Sequence, residues 1–246
     1  MNWVWVHPDE MKSARVELSG RRARHLLGAL GVETGRPVRM LQENVSCGEG
    51  IVVARTDDTV TLEYRPLRVP QRPRTTLMLA APRPKTLKRL WRHLPGLNVA
   101  RVIIVRPART PRDYLGTHWL QAEAYRPLLR EGLEQAGTPW LPDVRVHARF
   151  ARIVDALPPP APNELRVVAH PGAAGNLLDR ALRAPRHDAV LAIGPERGWT
   201  GRELEKLERK GFERVALGNC HCLRSDAACI AALALLAMAA APRIPE

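Results

Sequence analysis

Short apolar strands alternate with amphipathic helices from Thr76 to the end of the chain, and this pattern most constrains the fold. The strand-like runs are "TLMLAAP", "RVIIVRP", "VRVHA", "LRVVAHP", "AVLAIGP" and "RVALG". Helical stretches such as "KTLKRLWRHL" and "RELEKLERKG" fill the gaps between them. Repeated βα units predict a largely parallel sheet with helices on both faces. We therefore predict an α/β domain over residues 76–246.

The chain before this domain has a different pattern. Four strand-like runs, "WVWV", "RPVRML", "GEGIVVART" and "TVTLEYR", predict a small β-rich unit over 1–66. A helix between the first two runs is predicted to begin at Ser19 and to end at Gly31. Residues 67–75 are rich in proline and arginine and lack apolar periodicity, which is typical of a linker.

The charge of the chain indicates a polyanionic partner. The formal net charge is +13, and thirteen Lys or Arg lie between Arg65 and Arg112 without a single Asp or Glu. A surface that is only solvated usually mixes both signs. Thirty-three of the 38 basic residues are arginine, which a genome-wide codon bias would also produce, so the distribution is the stronger argument. It favours RNA or another polyanion as the partner.

No apolar segment leads the chain, and its four cysteines do not suggest a disulfide scaffold, so we expect a cytoplasmic protein. The longest apolar run, "AACIAALALLAMAAAP", is shorter and richer in alanine than a membrane span. It predicts a buried helix that begins near Ser225 and Asp226. We expect no membrane partner.

Glycines indicate where a ligand could bind. The first strand of the α/β domain is followed by "PRPK", which lacks the glycines that a nucleotide-binding Rossmann loop or a P-loop requires. Glycines instead follow the last three strands, in "AHPGAAG", "IGPERG" and "ALGNCHCLRSDAA". Ligands of open α/β sheets bind beyond the carboxyl ends of the strands, so these loops are the candidate site.

The stretch "IGPERGWTGREL" combines a turn with a helix start. Thr200 and Glu203 have the spacing of a capping box, which explains both as structural residues. Glu196 and Arg197 have no such role, and the residues alone leave open whether they are a solvated pair or catalytic. The "CHC" at 220–222 does not match a zinc knuckle, and no Gly-x-Ser-x-Gly elbow is present, so we predict neither a metal site nor a hydrolase.

Several motifs together resemble one family. "IGPERGWTGREL" followed by "ALG" and "LRSDAACIAALALL" resembles the pattern I-G-P-E-G-G-(F/W)-(S/T)-x-x-E, then L-G-x-R-(I/V)-L-R-(T/S)-(E/D)-T-A, of the RsmE family. "RHLLGALGVETGRPVRML" and "REGLEQAGTPWLPDV" resemble two further segments of that family. The family methylates N3 of a uridine in small-subunit ribosomal RNA.

The resemblance implies a PUA-like β-barrel over 1–66, followed by a SPOUT methyltransferase domain with a C-terminal trefoil knot. It also implies a homodimer, S-adenosylmethionine (SAM) held in the knot, ribosomal RNA as partner, and no metal. The implied cofactor-binding residues are His170, Pro171, Gly172, Ile193, Gly194, Gly198, Leu217, Gly218 and Leu223. The implied catalytic residues are Arg224, Glu196 and Asp226. The expected RNA-binding residues are Arg21, Arg22, Arg24, His25, Arg83, Lys85 and Arg197.

The chain departs from the family pattern at three places. Arg197 replaces a glycine, one extra residue lies within 219–222, and the first helix of the α/β domain has a different end at 92–98, where Pro95 should terminate it. Two alternatives to the RsmE function therefore stay open. One is a SPOUT methyltransferase with another RNA target, and the other is a non-catalytic RNA-binding factor in ribosome assembly.

Overall fold

The protein is described by a computed structural model that covers residues 3–184, 188–218 and 222–240. Its residues form two compact units. The first contains residues 3–72 together with Arg130–Leu141, and the second contains Pro73–Leu129 and the chain from Pro142 onward. The inclusion of Arg130–Leu141 in the first unit was not anticipated from the sequence.

The first unit is built on a five-stranded sheet. Its strands β1 to β5 are Trp3–Val6, Arg15–Leu18, Pro37–Gln42, Ser46–Arg55 and Val60–Arg68. The order is β1-β3-β4-β5-β2, and only the β1–β3 pair is parallel. Helix α1, Gly20–Arg24, continues into a π-helical turn at His25–Ala29. Ser19 stands at the helix start without a side-chain capping bond, and Gly31 follows the end with a φ of 54°.

The core of the first unit is apolar and continuous across the sheet. Val4, Val16, Leu18, Met40 and Leu62 are among the buried side chains that pack against the helical turn. A second small cluster joins the strands to the residues after Leu129, where Leu133 packs against Leu41 and Cys47. These contacts explain why the distant segment belongs to this unit.

The second unit has a seven-stranded sheet in which every pair is parallel. Its strands β6 to β12 are Thr75–Ala80, Val99–Val105, Asp143–His147, Glu164–Ala169, Gly175–Asn176, Asp188–Ile193 and Glu213–Ala216. Their order is β10-β12-β9-β11-β6-β7-β8. The predicted α/β architecture with a parallel sheet is confirmed.

Helices cover both faces of this sheet. Helices α2 to α7 are Pro84–His93, Ala122–Ala136, Phe150–Asp155, Leu177–Arg183, Gly201–Glu208 and Ser225–Ala240. On one face α4 and α6 pack over strand residues such as Met78, Val168 and Ala192. The intervening strand residues, such as Leu77 and Leu191, point the other way and are also buried, and α2, α5 and α7 pack with one another on that side. Helices thus cover both faces of the sheet, and the loops at the strand ends are left open to a ligand.

Candidate functional site

A cavity of about 390 Å³ lies at the carboxyl ends of β9, β11 and β12. These strands are neighbours in the sheet, so the three loops that follow them meet at one edge. All nine residues expected to bind a cofactor line this cavity: His170, Pro171, Gly172, Ile193, Gly194, Gly198, Leu217, Gly218 and Leu223. Ser225 and Ala228 of α7 complete the wall. The structure thus brings together residues that are about fifty positions apart in the sequence.

Each of the three loops contains a glycine with a left-handed backbone. The φ angles are 78° at Gly172, 71° at Gly198 and 63° at Gly218. Arg197 is not among the described residues with positive φ. The turn after β11 therefore needs a glycine at 198 and not at 197, which explains how an arginine fits where the family pattern has a glycine. The Arg197 side chain is exposed and does not line the cavity.

Gly194 serves a different purpose, which is close packing. A Cβ atom at Gly194 would lie 2.8 Å from Nε1 of Trp199, a buried ring that packs against Phe150. Trp199 Nε1 has no hydrogen-bond partner among the described residues, and neither has His170 Nδ1. Two residues that line the cavity thus each carry a buried ring nitrogen that no described protein group satisfies.

The loop after β7 braces the loop after β11. Arg109 Nη1 donates to the carbonyl oxygens of Arg197 at 2.9 Å and Trp199 at 3.4 Å. The predicted capping box of α6 is present, with Thr200 and Glu203 exchanging hydrogen bonds. Glu203 Oε1 also accepts the Ala108 N–H at 2.7 Å. The shape of the cavity wall therefore depends on a segment about ninety residues earlier in the chain.

A second cavity of about 310 Å³ adjoins the first. It is lined by Arg83, Thr86, Glu196, Cys222, Leu223, Arg224, Ser225 and Asp226. Four of these, Glu196, Cys222, Leu223 and Ser225, also line the first cavity, so the two spaces share a wall. All three residues expected to be catalytic belong to this second cavity.

Ion pairs organise the charges around the second cavity. Arg83 Nε donates to Glu196 Oε2 at 2.9 Å, and Arg89 of α2 donates to Asp226. Arg224 Nε is 3.9 Å from Asp226 Oδ1, and its side chain is 73% exposed. Each carboxylate faces an arginine, while the Arg224 guanidinium is the group most open to solvent.

The protonation of Asp226 depends on its neighbours. Burial on its own would raise the pKa of Asp226, but the hydrogen bonds from Arg89 and from the Ala227 N–H outweigh it and leave the pKa below its ordinary value. Asp226 is consequently a stable anion and a poor proton acceptor. Burial raises the pKa of the Cys229 thiol strongly, so this cysteine of α7 is not a nucleophile.

The residues expected to bind RNA are divided between the two units. In the first unit Arg24 is exposed, and Arg21 pairs with the buried Glu134 at 3.3 Å. Arg22 binds Glu10 and the Trp5 carbonyl oxygen, so its guanidinium is already engaged. His25 lies close enough to act electrostatically on Glu134. In the second unit Arg83, Lys85 and Arg197 are all exposed. Arg83 lines the second cavity, Lys85 lies in the first turn of α2, and Arg197 lies in the loop after β11.

Sequence reasoning missed three residues that shape the site, namely Arg89, Arg109 and Trp199. Arg89 and Arg109 lie within the acid-free basic stretch, but their partners are more than eighty residues away. Trp199 occupies the (F/W) position of the family motif and could have been found there.

No group of three or more possible metal ligands occurs in the described ranges. Cys222 is exposed, while Cys220 and His221 of the "CHC" stretch lie outside the described residues. A bilayer span needs a longer apolar helix than any in the described part of the chain.

Comparisons with known proteins agree with this architecture. Curated proteins named ribosomal RNA small subunit methyltransferase E are similar, with 30% identity over 164 residues in Treponema pallidum and 27% over 226 residues in Synechocystis. These matches span 66% and 87% of the chain, and 62% and 70% of those relatives' own lengths. The crystal structure of the Neisseria gonorrhoeae enzyme of that name, bound to S-adenosyl methionine, matches with a TM-score of 0.72 at 20% identity over 94% of this chain and 95% of that one. A family model described as an RNA methyltransferase domain matches residues 70–237. The chain therefore belongs to the RNA methyltransferase domain family, as its resemblance to the RsmE proteins predicted.

Proposed function

We propose that this chain uses SAM to methylate N3 of a uridine in small-subunit ribosomal RNA. One observation carries the proposal, which is that a cavity framed by three glycine-bearing loops shares a wall with a second cavity that holds Arg224, Glu196 and Asp226. A methyl donor in the first space and a nucleotide in the second would meet at this wall. The named relatives support ribosomal RNA as the substrate.

The chemistry of the first cavity suits SAM. Trp199 Nε1 and His170 Nδ1 lack described protein partners and are available to polar groups of a ligand. Ile193, Leu217 and Leu223 offer apolar contacts for an adenine ring, and loop backbone groups can bind the ribose and the amino-acid end. When bound, SAM supplies a methyl group activated on a sulfonium, so the reaction requires no metal.

The residues of the second cavity would stabilise negative charge on the RNA base and accept its proton. N3 of uridine is an imide nitrogen whose proton has to leave before, or while, the nitrogen attacks a methyl carbon. The exposed Arg224 guanidinium is able to approach an imide oxygen, where it would stabilise the developing negative charge. In an alternative role for the same residue, it would bind the phosphate beside the base.

A carboxylate is needed to orient the base or to accept the N3 proton. Glu196 is our candidate because it lies in the shared wall and pairs with the exposed Arg83. Asp226 is the alternative, but its lowered pKa and its bond to Arg89 favour a role in holding that arginine and the start of α7.

The remaining parts of the proposal concern architecture and setting. They are a PUA-like barrel over 1–66, a linker over 67–75, a SPOUT domain over 76–246 with a trefoil knot, a homodimer, and action in the cytoplasm. The resemblance of motifs supports the barrel, the SPOUT domain with its knot and the homodimer, while sequence composition supports the linker and the cytoplasmic setting. The neighbouring order of β12, β9 and β11 is compatible with a knot made by the last segment.

Methylation in vitro with SAM labelled in its methyl group tests the proposed function. The substrate is small-subunit ribosomal RNA from cells that lack the modification, and mass spectrometry of the digested RNA locates the label. We expect a single 3-methyluridine. Label on another base or on a ribose would indicate a different RNA target, and no SAM binding in calorimetry at millimolar cofactor would indicate a non-catalytic RNA-binding factor.

A further inference from the structure

Helix α2 exposes a continuous basic face. Its side chains Lys85, Lys88, Arg89 and Arg92 are all exposed, and they follow the i, i+3, i+4, i+7 spacing of one helix face. The opposite face buries Thr86, Leu87, Leu90 and Trp91. The apolar face alone accounts for the packing of the helix, so packing does not require this concentration of positive charge on the other side.

This basic face begins at the second cavity. Arg83 and Thr86, at the start of α2, line that cavity, and Arg89 one turn later binds Asp226 in the same lining. From Lys85 to Arg92 the face extends about 10 Å along the helix axis, at about 1.5 Å per residue. That length exceeds the spacing of neighbouring phosphates along one strand, so the face is long enough to contact more than one phosphate.

Two nearby carboxylates are paired with arginines, and one of these pairs offsets a single charge of this face, that of Arg89. Glu196 is bound by Arg83, and Asp226 by Arg89. Nζ of Lys88 lies 4.5 Å from the centre of the Trp119 ring, a cation–π contact that orients the ammonium without neutralising its charge. Helix α2 itself contains no Asp or Glu.

We propose that the exposed face of α2 binds the sugar-phosphate backbone of the RNA strand next to the nucleotide in the second cavity. The inference rests on the proposed function, because it assigns the path by which RNA reaches that site. Point charges on flexible stems, repeated at helical spacing, suit phosphates and carry no base specificity. The face should therefore contribute affinity and position, while the cavity selects the nucleotide.

A charge-matched pair of variants tests this path. The first replaces Lys85, Lys88 and Arg92 with Gln, which removes three charges but keeps the aliphatic stems. The control replaces Arg149, Arg152 and Arg209 with Gln, three exposed arginines at α4 and the end of α6 on the opposite face of the sheet. Binding of a labelled oligouridylate is measured at several salt concentrations, with SAM affinity and Tm as checks on folding.

We expect the α2 variant to bind oligouridylate at least ten-fold more weakly than the wild type in low salt. Its slope of log affinity against log salt should be smaller by about 2, because each single-strand phosphate contact contributes about 0.7. KM for ribosomal RNA should rise in the same proportion, with kcat and SAM affinity unchanged. The control variant should lose much less affinity.

Equal losses in the two variants would overturn the inference, because only total charge would then matter. Unchanged RNA affinity in the α2 variant would overturn it too, and would direct attention to an acidic protein as the partner of this face. Neither result would affect the proposed function, which fails only if the wild-type protein does not transfer a methyl group to uridine N3.

Discussion

Two buried carboxylates of the first unit and the arginines around the second cavity lie in contrasting environments. In the first unit, Glu43 and Glu134 are buried and each is paired with an arginine. Arg130, the partner of Glu43, also lies over the Trp5 ring at 4.1 Å. Around the second cavity, by contrast, the arginines are mostly exposed, with Arg83 at 62% and Arg224 at 73%.

This difference separates structural charge from charge available to a ligand. Removing either partner of a buried ion pair costs much stability, because the remaining charge stays buried without a partner. An exposed pair contributes little stability, so its arginine can exchange a carboxylate for a phosphate or an imide oxygen at low cost. Burial of the carboxylate partner therefore distinguishes the arginines that stabilise the fold from those that are open to RNA.

The largest expected effect is at Arg224. Replacing it with Ala should lower kcat by about 100-fold to 1000-fold, because a cation near the developing negative charge is lost. SAM affinity in calorimetry should stay nearly the same. Arg197→Ala, a neighbouring exposed arginine outside both cavities, is the control and should change kcat by less than about three-fold. Full activity of the Arg224 variant would refute the catalytic role.

The next effect tests the buried pairs of the first unit. Arg130→Ala should lower the free energy of unfolding by about 3 kcal/mol, since it leaves the Glu43 carboxylate buried without its partner. Arg101→Ala removes an exposed pair with Asp143 and should cost less than about 1 kcal/mol. Urea unfolding measures both. Similar costs for the two variants would remove the distinction between buried and exposed pairs.

A smaller effect is expected where the cavity wall is tightly packed. Gly194→Ala would force a Cβ against the Trp199 ring, so we expect SAM affinity to fall about ten-fold and stability by about 1 to 3 kcal/mol. Gly201→Ala is the matched control, because nothing lies within 4 Å of its added Cβ. If both alanine variants bind SAM normally, the ring does not define the cavity.

The smallest expected effect concerns how stability depends on pH, which should have opposite signs for Glu134 and Asp226. Burial raises the pKa of Glu134 above 4.5 despite Arg21, so its contribution to stability falls as pH rises through the weakly acidic range. The lowered pKa of Asp226 has the reverse sign, because its contribution is full above 3.8 and is lost as pH falls below that value.

Stability curves against pH for two amide variants check these signs. With rising pH, Glu134→Gln should gain stability relative to the wild type. Asp226→Asn should lose stability relative to the wild type between strongly acidic and neutral pH. Parallel curves for the two variants would show that both carboxyls sit in the same kind of environment.

The parallel sheet and the cavity loops could be predicted because their signals are local. The six principal strands of the second unit are short apolar runs, and the glycines of the cavity follow three of them directly. Strand β2 and helix α4 were missed, since "RVEL" and "FARIVD" are too short to show a period. The capping box at Thr200 was predicted correctly for the same local reason.

The features that the sequence did not predict depend on partners far along the chain. Nothing near Arg109 indicates that it donates to carbonyl oxygens of 197 and 199, and nothing near Arg89 indicates Asp226. The assignment of Arg130–Leu141 to the first unit is of the same kind. The pattern of apolar residues in a short stretch of sequence indicates which face of a helix or strand is buried. It does not indicate which distant residues pack against that face.

The inclusion of Arg130–Leu141 in the first unit has a consequence for how such a gene can be rearranged. Gly137, with a φ of 67°, lets Trp3 pack where a Cβ would stand 2.8 Å from its ring, and Trp140 donates to the Pro70 carbonyl oxygen. A fragment that stops after Arg72 lacks both residues. The first unit is therefore not contiguous in the sequence. Recombination that exchanged residues 1–72 between relatives would also have to match a twelve-residue stretch encoded between two parts of the second unit.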